Sequence, residues 1–245
     1  MLPDGRAVWK QQTGNHSRLV LVGEGKDPVP LSGAPDETTF PVTLAGPNQV
    51  AFAIGNDRRS IGIASVTTGR IVSRIPFDKG TLDVMLASPD GQSLYCTAAG
   101  AIWVQPSAGG TPARLRAGSA VAIDPAGKYL AVVDTYQGRT RLLIVPFDGS
   151  NDGNEREIPL GANSRPAPVS SGAINKEGQL LLGLGSPDSW FLEPNIIDLA
   201  TGHATRVQID SPGDNFHMAW TPDGEIMASV LSMHGALWKF EPESR

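Results

Sequence analysis

The side chains best suited to chemistry in this sequence are four histidines and one acidic residue. His16, His203, His217 and His234 are spread along the chain, and no two of them have the spacing of metal ligands. His217 and Asp83 each lie in a short apolar segment, where a metal-ligating group is unusual. Two such groups are fewer than a protein metal site needs. The sequence therefore predicts no metal site and no cofactor.

Motifs of known catalytic machinery are also missing from the sequence. It contains no Gly-x-Ser-x-Gly elbow, no His-Glu-x-x-His pair and none of the protein-kinase motifs. Gly183 and Gly185 begin a glycine pattern, but Asp188 stands where a dinucleotide-binding loop has its third glycine. The sequence therefore predicts a chain that is not itself an enzyme and has no catalytic residues.

A second group of side chains suits binding better than catalysis. Arginine, tyrosine and tryptophan are the usual anchors of protein interfaces. The candidates that lie in predicted loops are Arg58, Arg59, Tyr136, Arg139 and Trp190. We interpret them as a surface for a protein or small-molecule ligand.

The overall composition narrows the classes of partner. The net charge is −5, from 20 basic and 25 acidic residues, and no basic run is present, which argues against nucleic acid. No stretch reaches the ~18 apolar residues of a membrane span, so the sequence predicts no membrane insertion. The single cysteine, Cys96, lies in an apolar run and is expected to be buried. None of these features assigns a compartment.

Short turn motifs divide the chain into repeats. Ser88–Gly91 and Thr221–Gly224 read Ser/Thr-Pro-Asp-Gly, and Leu2–Gly5 reads Leu-Pro-Asp-Gly. Looser copies stand at 124–127 and 175–178. Each lies just before an apolar run, as expected of a hairpin turn in which proline sets φ and glycine accepts φ > 0. Their spacing is uneven but near the ~40 residues of a propeller blade.

One complete repeat shows four predicted strands. They are Phe40–Leu44, Gln49–Ile54, Ser60–Ser65 and Arg70–Pro76. A small sheet of this kind can bury both of its faces only when neighbouring sheets pack against it around a common axis. We predict an all-β chain, a single β-propeller domain over residues 1–245 with about six four-stranded blades. The predicted units are 1–34, 35–79, 80–117, 118–165, 166–213 and 214–245.

The two end units are each predicted to lack a strand. The first begins at its turn and has no inner strand, while the last ends after a third strand at Ala236–Phe240. A ring closed by incomplete blades, or a chain cut from a longer protein, would both give this pattern. We favour the second interpretation.

The repeat resembles that of TolB-like and WD40-like propellers, whose consensus combines Trp-Ser-Pro-Asp-Gly with a later aromatic strand. Ala219–Gly224 and Ala87–Gly91 carry the turn motif, and Trp103 and Trp238 fall at the aromatic position. The resemblance covers nearly the whole chain. It implies a central channel lined by the inner strands, and it makes Asp83 and His217 channel-lining residues.

The resemblance implies three alternative functions. The first is a non-catalytic binding or sensing module, such as the terminal sensor or scaffold part of a bacterial Ser/Thr kinase or winged-helix regulator. The second is a propeller lactonase or lyase with a channel metal, and the third is the propeller domain of a serine peptidase. We favour the first. Its ligand is expected on the ring face that holds the longer, variable loops, where the five candidate binding residues lie.

Overall fold

All the regular secondary structure in the part of the chain that the structure describes is β-strand. The structure is a computed structural model, and it describes residues 5–13, 16–23, 25, 27–31, 38–136, 139–149, 155–160, 165–167, 169–185, 191–209 and 214–231. These residues form strands, turns and bends, with no helix. Accordingly, they include no helix able to cross a bilayer.

The strands form six small antiparallel sheets, numbered here in chain order. Sheet 1 has three strands, β1 (Ala7–Thr13), β2 (His16–Val22) and β3 (Val29–Pro30). Sheet 2 has β4 (Thr38–Leu44), β5 (Gln49–Ile54), β6 (Ser60–Ser65) and β7 (Ile71–Pro76). Sheet 3 has β8 (Val84–Ala87), β9 (Ser93–Ala98), β10 (Ala101–Pro106) and β11 (Ala113–Ala117).

The remaining sheets continue the same up-and-down order. Sheet 4 has β12 (Ala120–Ile123), β13 (Tyr129–Tyr136), β14 (Arg139–Pro146) and β15 (Arg156–Ile158). Sheet 5 has β16 (Arg165–Pro166), β17 (Gln179–Gly185), β18 (Glu193–Asp198) and β19 (Ala204–Arg206). Sheet 6 is described as the hairpin of β20 (Asp214–Trp220) and β21 (Ile226–Leu231).

The Pro-Asp-Gly motifs form the turns between the first and second strands of the sheets. In sheet 3 the Gly91 amide donates to the Ser88 carbonyl at 2.8 Å, and Gly91 has φ +70°. The Asp90 carboxylate accepts from the Gln92 amide at 3.0 Å and from the Ser88 hydroxyl at 2.6 Å. The Ser88 hydrogen bond holds the pKa of Asp90 below its usual value. The same backbone bond and a positive φ recur at Gly127, Gly178 and Gly224.

Apolar side chains between neighbouring sheets hold the ring together. Phe52 of sheet 2 packs against sheet 1, and Met85 of sheet 3 packs with the apolar side chains of sheet 2. Leu130 of sheet 4 packs against sheet 3, and Leu182 of sheet 5 packs against sheet 4. The sequence-based prediction of an all-β propeller is therefore confirmed. Its predicted sixth-unit strand, Ala236–Phe240, lies outside the described residues.

Sheet 5 departs from the predicted pattern at its inner strand. The predicted fifth unit, 166–213, was expected to open with an inner strand, but β16 covers only Arg165–Pro166. The Ala167 amide still donates to the Gly183 carbonyl at 2.8 Å. A turn then interrupts the pairing, in which the Ala173 amide donates to the Ser170 carbonyl at 3.2 Å. Pairing resumes at one isolated bridge between Ile174 and Leu180. The break places Ser171 and Gly172 at the end of the channel.

The turn glycines provide a first prediction. Replacing Gly91 with valine forces a β-branched residue to φ +70°, which costs on the order of 1–3 kcal/mol. An added Cβ at Gly91 would lie in ordinary van der Waals contact with the Ala45 backbone at 3.6 Å, so the Cβ itself meets no clash. Gly91→Asn is the matched control, because asparagine tolerates this conformation. Urea denaturation should show Gly91→Val less stable than Gly91→Asn. Equal losses for the two variants would contradict the conformational explanation.

The buried cysteine provides a second prediction. Cys96 has no exposed surface and packs between sheets 2 and 3, and burial raises the pKa of its thiol well above the usual value. The thiolate is the reactive form, so native protein should react with a disulfide reagent only when the domain opens. The measurement is the labelling rate with and without denaturant. If native protein is labelled as fast as the unfolded chain, the contact between sheets 2 and 3 around Cys96 opens easily.

Candidate functional site

A cavity of about 500 Å³ lies at one end of the channel. We call this end the turn mouth, because the Pro-Asp-Gly-type turns 124–127, 175–178 and 221–224 surround it together with the ends of β4 and β20. A second cavity of about 200 Å³ adjoins it, sharing Pro125, Ser171, Gly172 and Ile174 as lining residues. The turn mouth is thus a concave surface to which several sheets contribute.

One wall of the cavity is apolar and comes from both ends of the chain. Val8 of β1 faces the cavity beside Val42 and Leu44 of β4. Trp220 and Met227 of sheet 6 line the opposite side. Met227 is 40% exposed, although it lies in the second strand of its sheet. The other four side chains are half-buried. A partly exposed apolar wall of this kind can gain free energy by being covered.

Polar groups cross the floor of the turn mouth. The Thr43 hydroxyl donates to the Ser171 hydroxyl at 3.4 Å and accepts from the Ala87 amide at 3.4 Å. These contacts join sheets 2, 3 and 5 across the channel. Ser171 reaches this position because β16 ends early. A small number of hydroxyl groups in an apolar cavity is the usual composition of a ligand pocket.

Trp220 is fixed in place by two hydrogen bonds to sheet 5. Its indole nitrogen donates to the Gln179 carbonyl at 3.2 Å, and its backbone amide donates to the Gly172 carbonyl at 2.9 Å. The ring therefore forms a rigid part of the cavity wall. The Asp223 carboxylate lies on the rim beside it. A hydrogen bond from the Thr221 side chain lowers the pKa of Asp223.

Four of the candidate binding residues, Arg58, Arg59, Tyr136 and Arg139, lie at the opposite end of the channel, which we call the loop face. Arg58 takes a left-handed conformation, φ +52°, and its Nη2 lies 3.7 Å from Oδ1 of Asp83. The Arg58 carbonyl also accepts from the Leu82 amide at 3.1 Å. Arg58 was predicted to belong to a binding surface, and Asp83 was predicted to line the channel. The structure brings the two side chains together as an ion pair. Arg59 next to them is exposed.

The structure describes the other three predicted binding residues, Arg139, Tyr136 and Trp190, to different extents. Arg139 is exposed, and its Nη2 lies 2.7 Å from Oε1 of Glu157 on the outer strand of sheet 4. Tyr136 ends β13, and the structure describes its backbone position alone. Trp190 lies outside the described residues. The five candidates therefore remain a prediction as a binding surface.

His217 lies on an inner strand, as the propeller resemblance implied, but it does not meet Asp83. It occupies an irregular step in β20 with φ +50°, and its ring centre is 4.7 Å from that of Phe40 in β4. Desolvation by its surroundings lowers the pKa of the imidazole, so the neutral form is favoured at pH 7. Among the described residues, no three His, Cys, Asp or Glu side chains are placed to hold a metal ion.

Sequence reasoning missed the residues that form the cavity. Thr43, Ser171 and Met227 carry no motif, and Trp220 was noticed only as part of the repeat consensus. A usable signal was that Ser171, Trp220 and Met227 each lie one to four places from a Pro-Asp-Gly-type turn, which puts these three at the same end of the ring. The sequence could not show that the wall beside them would remain uncovered.

Comparison with solved structures identifies the fold but little else. The sequence matches no protein-family model and none of the curated proteins with which it was compared. TolB from Acinetobacter baumannii is similar with a TM-score of 0.65 and 17% identity, over 90% of this chain and 56% of that one. A TolB-type protein from Agrobacterium tumefaciens gives 0.68 and 16%, over 94% and 87% of the two chains.

An enzyme with a propeller fold is similar to this chain to about the same degree as the two TolB structures. The gluconolactonase XC5397 from Xanthomonas campestris has a TM-score of 0.66 and 16% identity, over 92% of this chain and 79% of that one. At such low identity, these likenesses speak for architecture and leave function open. Taken with the ring of antiparallel sheets and their Pro-Asp-Gly turns, they show that this chain has the TolB-like β-propeller fold.

Proposed function

We propose that this chain is a non-catalytic binding module that takes a segment of a partner protein at the turn mouth. The observation that carries this proposal is the cavity of about 500 Å³ between β1, β4 and sheet 6. Its size falls within the roughly 300–1,000 Å³ of ligand sites in proteins. Its lining combines partly exposed apolar side chains with the hydroxyl groups of Thr43 and Ser171, which suits an extended peptide.

Charge supports a protein partner over nucleic acid. The chain has a net charge of −5, and the Asp223 carboxylate on the rim has a lowered pKa. The lining of the turn mouth holds one ammonium group, Lys176, and two carboxylates, Glu177 and Asp223, whereas nucleic-acid sites neutralise phosphates with lysine and arginine. Following the propeller resemblance, we propose a sensing or scaffold role within a larger bacterial signalling protein as the setting of this module.

The lactonase alternative is less well supported by the described residues. One structural neighbour is a gluconolactonase, and a metal-dependent propeller enzyme needs several His or acidic ligands around its channel. Asp83 pairs with Arg58, and His217 lies against Phe40. Nothing in the described part of the channel therefore favours a lactonase. The peptidase alternative concerns a catalytic domain that these residues do not include.

A peptide-selection experiment tests the turn mouth as the binding site. Random linear peptides displayed on phage would be selected on the purified chain, and the enriched peptides measured by calorimetry. We expect Met227→Asp to weaken their binding by about tenfold or more, because it places a charge on the apolar wall. Met227 is 40% exposed, so the substitution should leave the fold intact.

The matched control is Arg59→Ala at the loop face, where Arg59 is exposed. Binding should be unchanged in this variant, and both variants should melt within a few degrees of the parent protein. If the peptides bind the Met227→Asp variant as tightly as the parent protein but bind the Arg59→Ala variant more weakly, the binding site lies on the loop face. They would then support the surface formed by Arg58, Arg59, Tyr136 and Arg139. Failure to enrich any peptide would count against a peptide-binding function.

A further inference from the structure

The smaller cavity of about 200 Å³ beside the turn mouth is a side pocket between sheets 3, 4 and 5. Leu86 and Ile174 line it as buried residues, and Ile123 lines it as a half-buried one. Two exposed prolines, Pro89 and Pro125, also line it. Its lining residues all belong to three sheets in the middle of the chain, so the shape of the side pocket does not depend on either end of the sequence.

The side pocket has the size of one apolar side chain. A dry apolar cavity of about 150 Å³ holds a benzene molecule, so 200 Å³ has room for the side chain of leucine, isoleucine, methionine or phenylalanine. The walls are fixed before binding. The Gly127 amide donates to the Asp124 carbonyl at 2.8 Å, and Cγ of Pro89 lies 3.7 Å from where a Cβ of residue 127 would be, so two turns touch here.

Carboxylates outnumber ammonium groups on the turns of sheets 3 to 6 at this end of the ring. These turns are residues 88–92, 124–128, 175–179 and 221–225. They carry five acidic residues and two lysines, namely Asp90, Asp124, Glu177, Asp223, Glu225, Lys128 and Lys176. The Asp124 side chain is buried, and the other four acidic residues are exposed. The surroundings of the apolar recess are therefore negatively charged.

Two of the exposed carboxylates are held ionised by their own turns. A hydrogen bond from the Ser88 hydroxyl lowers the pKa of Asp90, and one from the Thr221 side chain lowers the pKa of Asp223. Both groups therefore keep their charge at pH 7 and below. Complementary charge across an interface increases specificity and the rate of association. A segment that enters this recess is favoured when it carries lysine or arginine.

We propose that the partner segment bound at the turn mouth places one medium-sized apolar side chain in the side pocket and carries lysine or arginine beside it. This inference rests on the proposed function and specifies the chemistry of its partner. The apolar anchor supplies most of the affinity, because side chains buried in pockets dominate binding energies. The cationic residues select the segment against neutral and acidic ones through the carboxylates of the turns.

The first experiment uses the peptides enriched on the full chain and replaces their residues one at a time with alanine. We expect one apolar residue whose loss weakens binding by about tenfold or more, with lysine or arginine within two positions of it. Raising the salt concentration from about 0.1 M to about 1 M shortens the screening length from about 10 Å to about 3 Å. Calorimetry should then show binding weakened about threefold or more.

The variant Ser171→Leu tests whether the anchor occupies the side pocket. Ser171 is exposed, lines both cavities and contacts Thr43 at their junction, so leucine there fills space at the entrance. Ala204→Leu on the outer strand of sheet 5 is the matched control, because Ala204 is also exposed. Replacing the peptide's anchor with alanine should cost about tenfold with the parent and with Ala204→Leu, but little with Ser171→Leu. Melting temperatures within a few degrees of the parent would show that both variants are folded.

The variant Asp223→Asn tests the charge. Its matched control is Asp57→Asn, which removes one exposed carboxylate at the loop face. We expect Asp223→Asn to weaken binding of the cationic peptides about two- to fivefold at about 0.1 M salt, with the difference lost at about 1 M. Asp57→Asn should leave the affinity unchanged at both concentrations.

Other results would overturn the proposal and can be told apart from failure of the proposed function. If no peptide is enriched, the peptide-binding function itself is wrong, and this inference is wrong with it. If peptides bind and are weakened by Met227→Asp, but lack lysine and arginine and do not respond to salt, the binding module stands and the cationic partner is wrong. If loss of the anchor costs as much with Ser171→Leu as with the parent, the anchor lies outside the side pocket.

Discussion

A four-stranded sheet with two apolar faces cannot bury either face alone, and this constraint determines the rest of the molecule. Each sheet satisfies it by packing on its neighbours, so that Phe52, Met85, Leu130 and Leu182 all lie between two sheets. Stability is then shared between adjacent repeats, as in other repeat proteins. Such an arrangement is complete only when the last sheet covers the first. Any strand missing at the point of closure leaves apolar surface exposed there.

The features of the fold that depend on local chemistry could be predicted from the sequence. The strands Gln49–Ile54 and Ser60–Ser65 were predicted with the bounds that the structure has. Their ends are fixed by turn residues, since glycine and proline restrict where a strand can stop. Similarly, the turn glycine of sheet 3 could be assigned a positive φ from the motif Ser-Pro-Asp-Gly. Periodicity and turn chemistry act over a few residues, and a single sequence records both.

The candidate site depends on contacts between distant residues, which a single sequence does not record. Thr43 and Ser171 are 128 positions apart, and their contact requires the early end of β16 and the turn that follows it. The irregular step in β20 at His217 has no sequence signal either, whereas Pro41 marks the step in β4. Apart from the two prolines, residues 165–174 resemble any short inner strand. The cavity therefore became visible only when the ring was assembled.

The turn mouth connects these two levels. Its turns are local features that the sequence predicts, whereas the packing of the apolar side chains beside them depends on residues far apart in the chain. Val8, Val42 and Leu44 pack against the core of sheets 1 and 2 and also line the cavity, and Met227 across sheet 6 is 40% exposed. Apolar surface in a recess gains free energy when it is covered, and a recess admits an extended segment more readily than the surface of a folded domain. This combination is the physical reason for proposing a peptide as the occupant of the turn mouth.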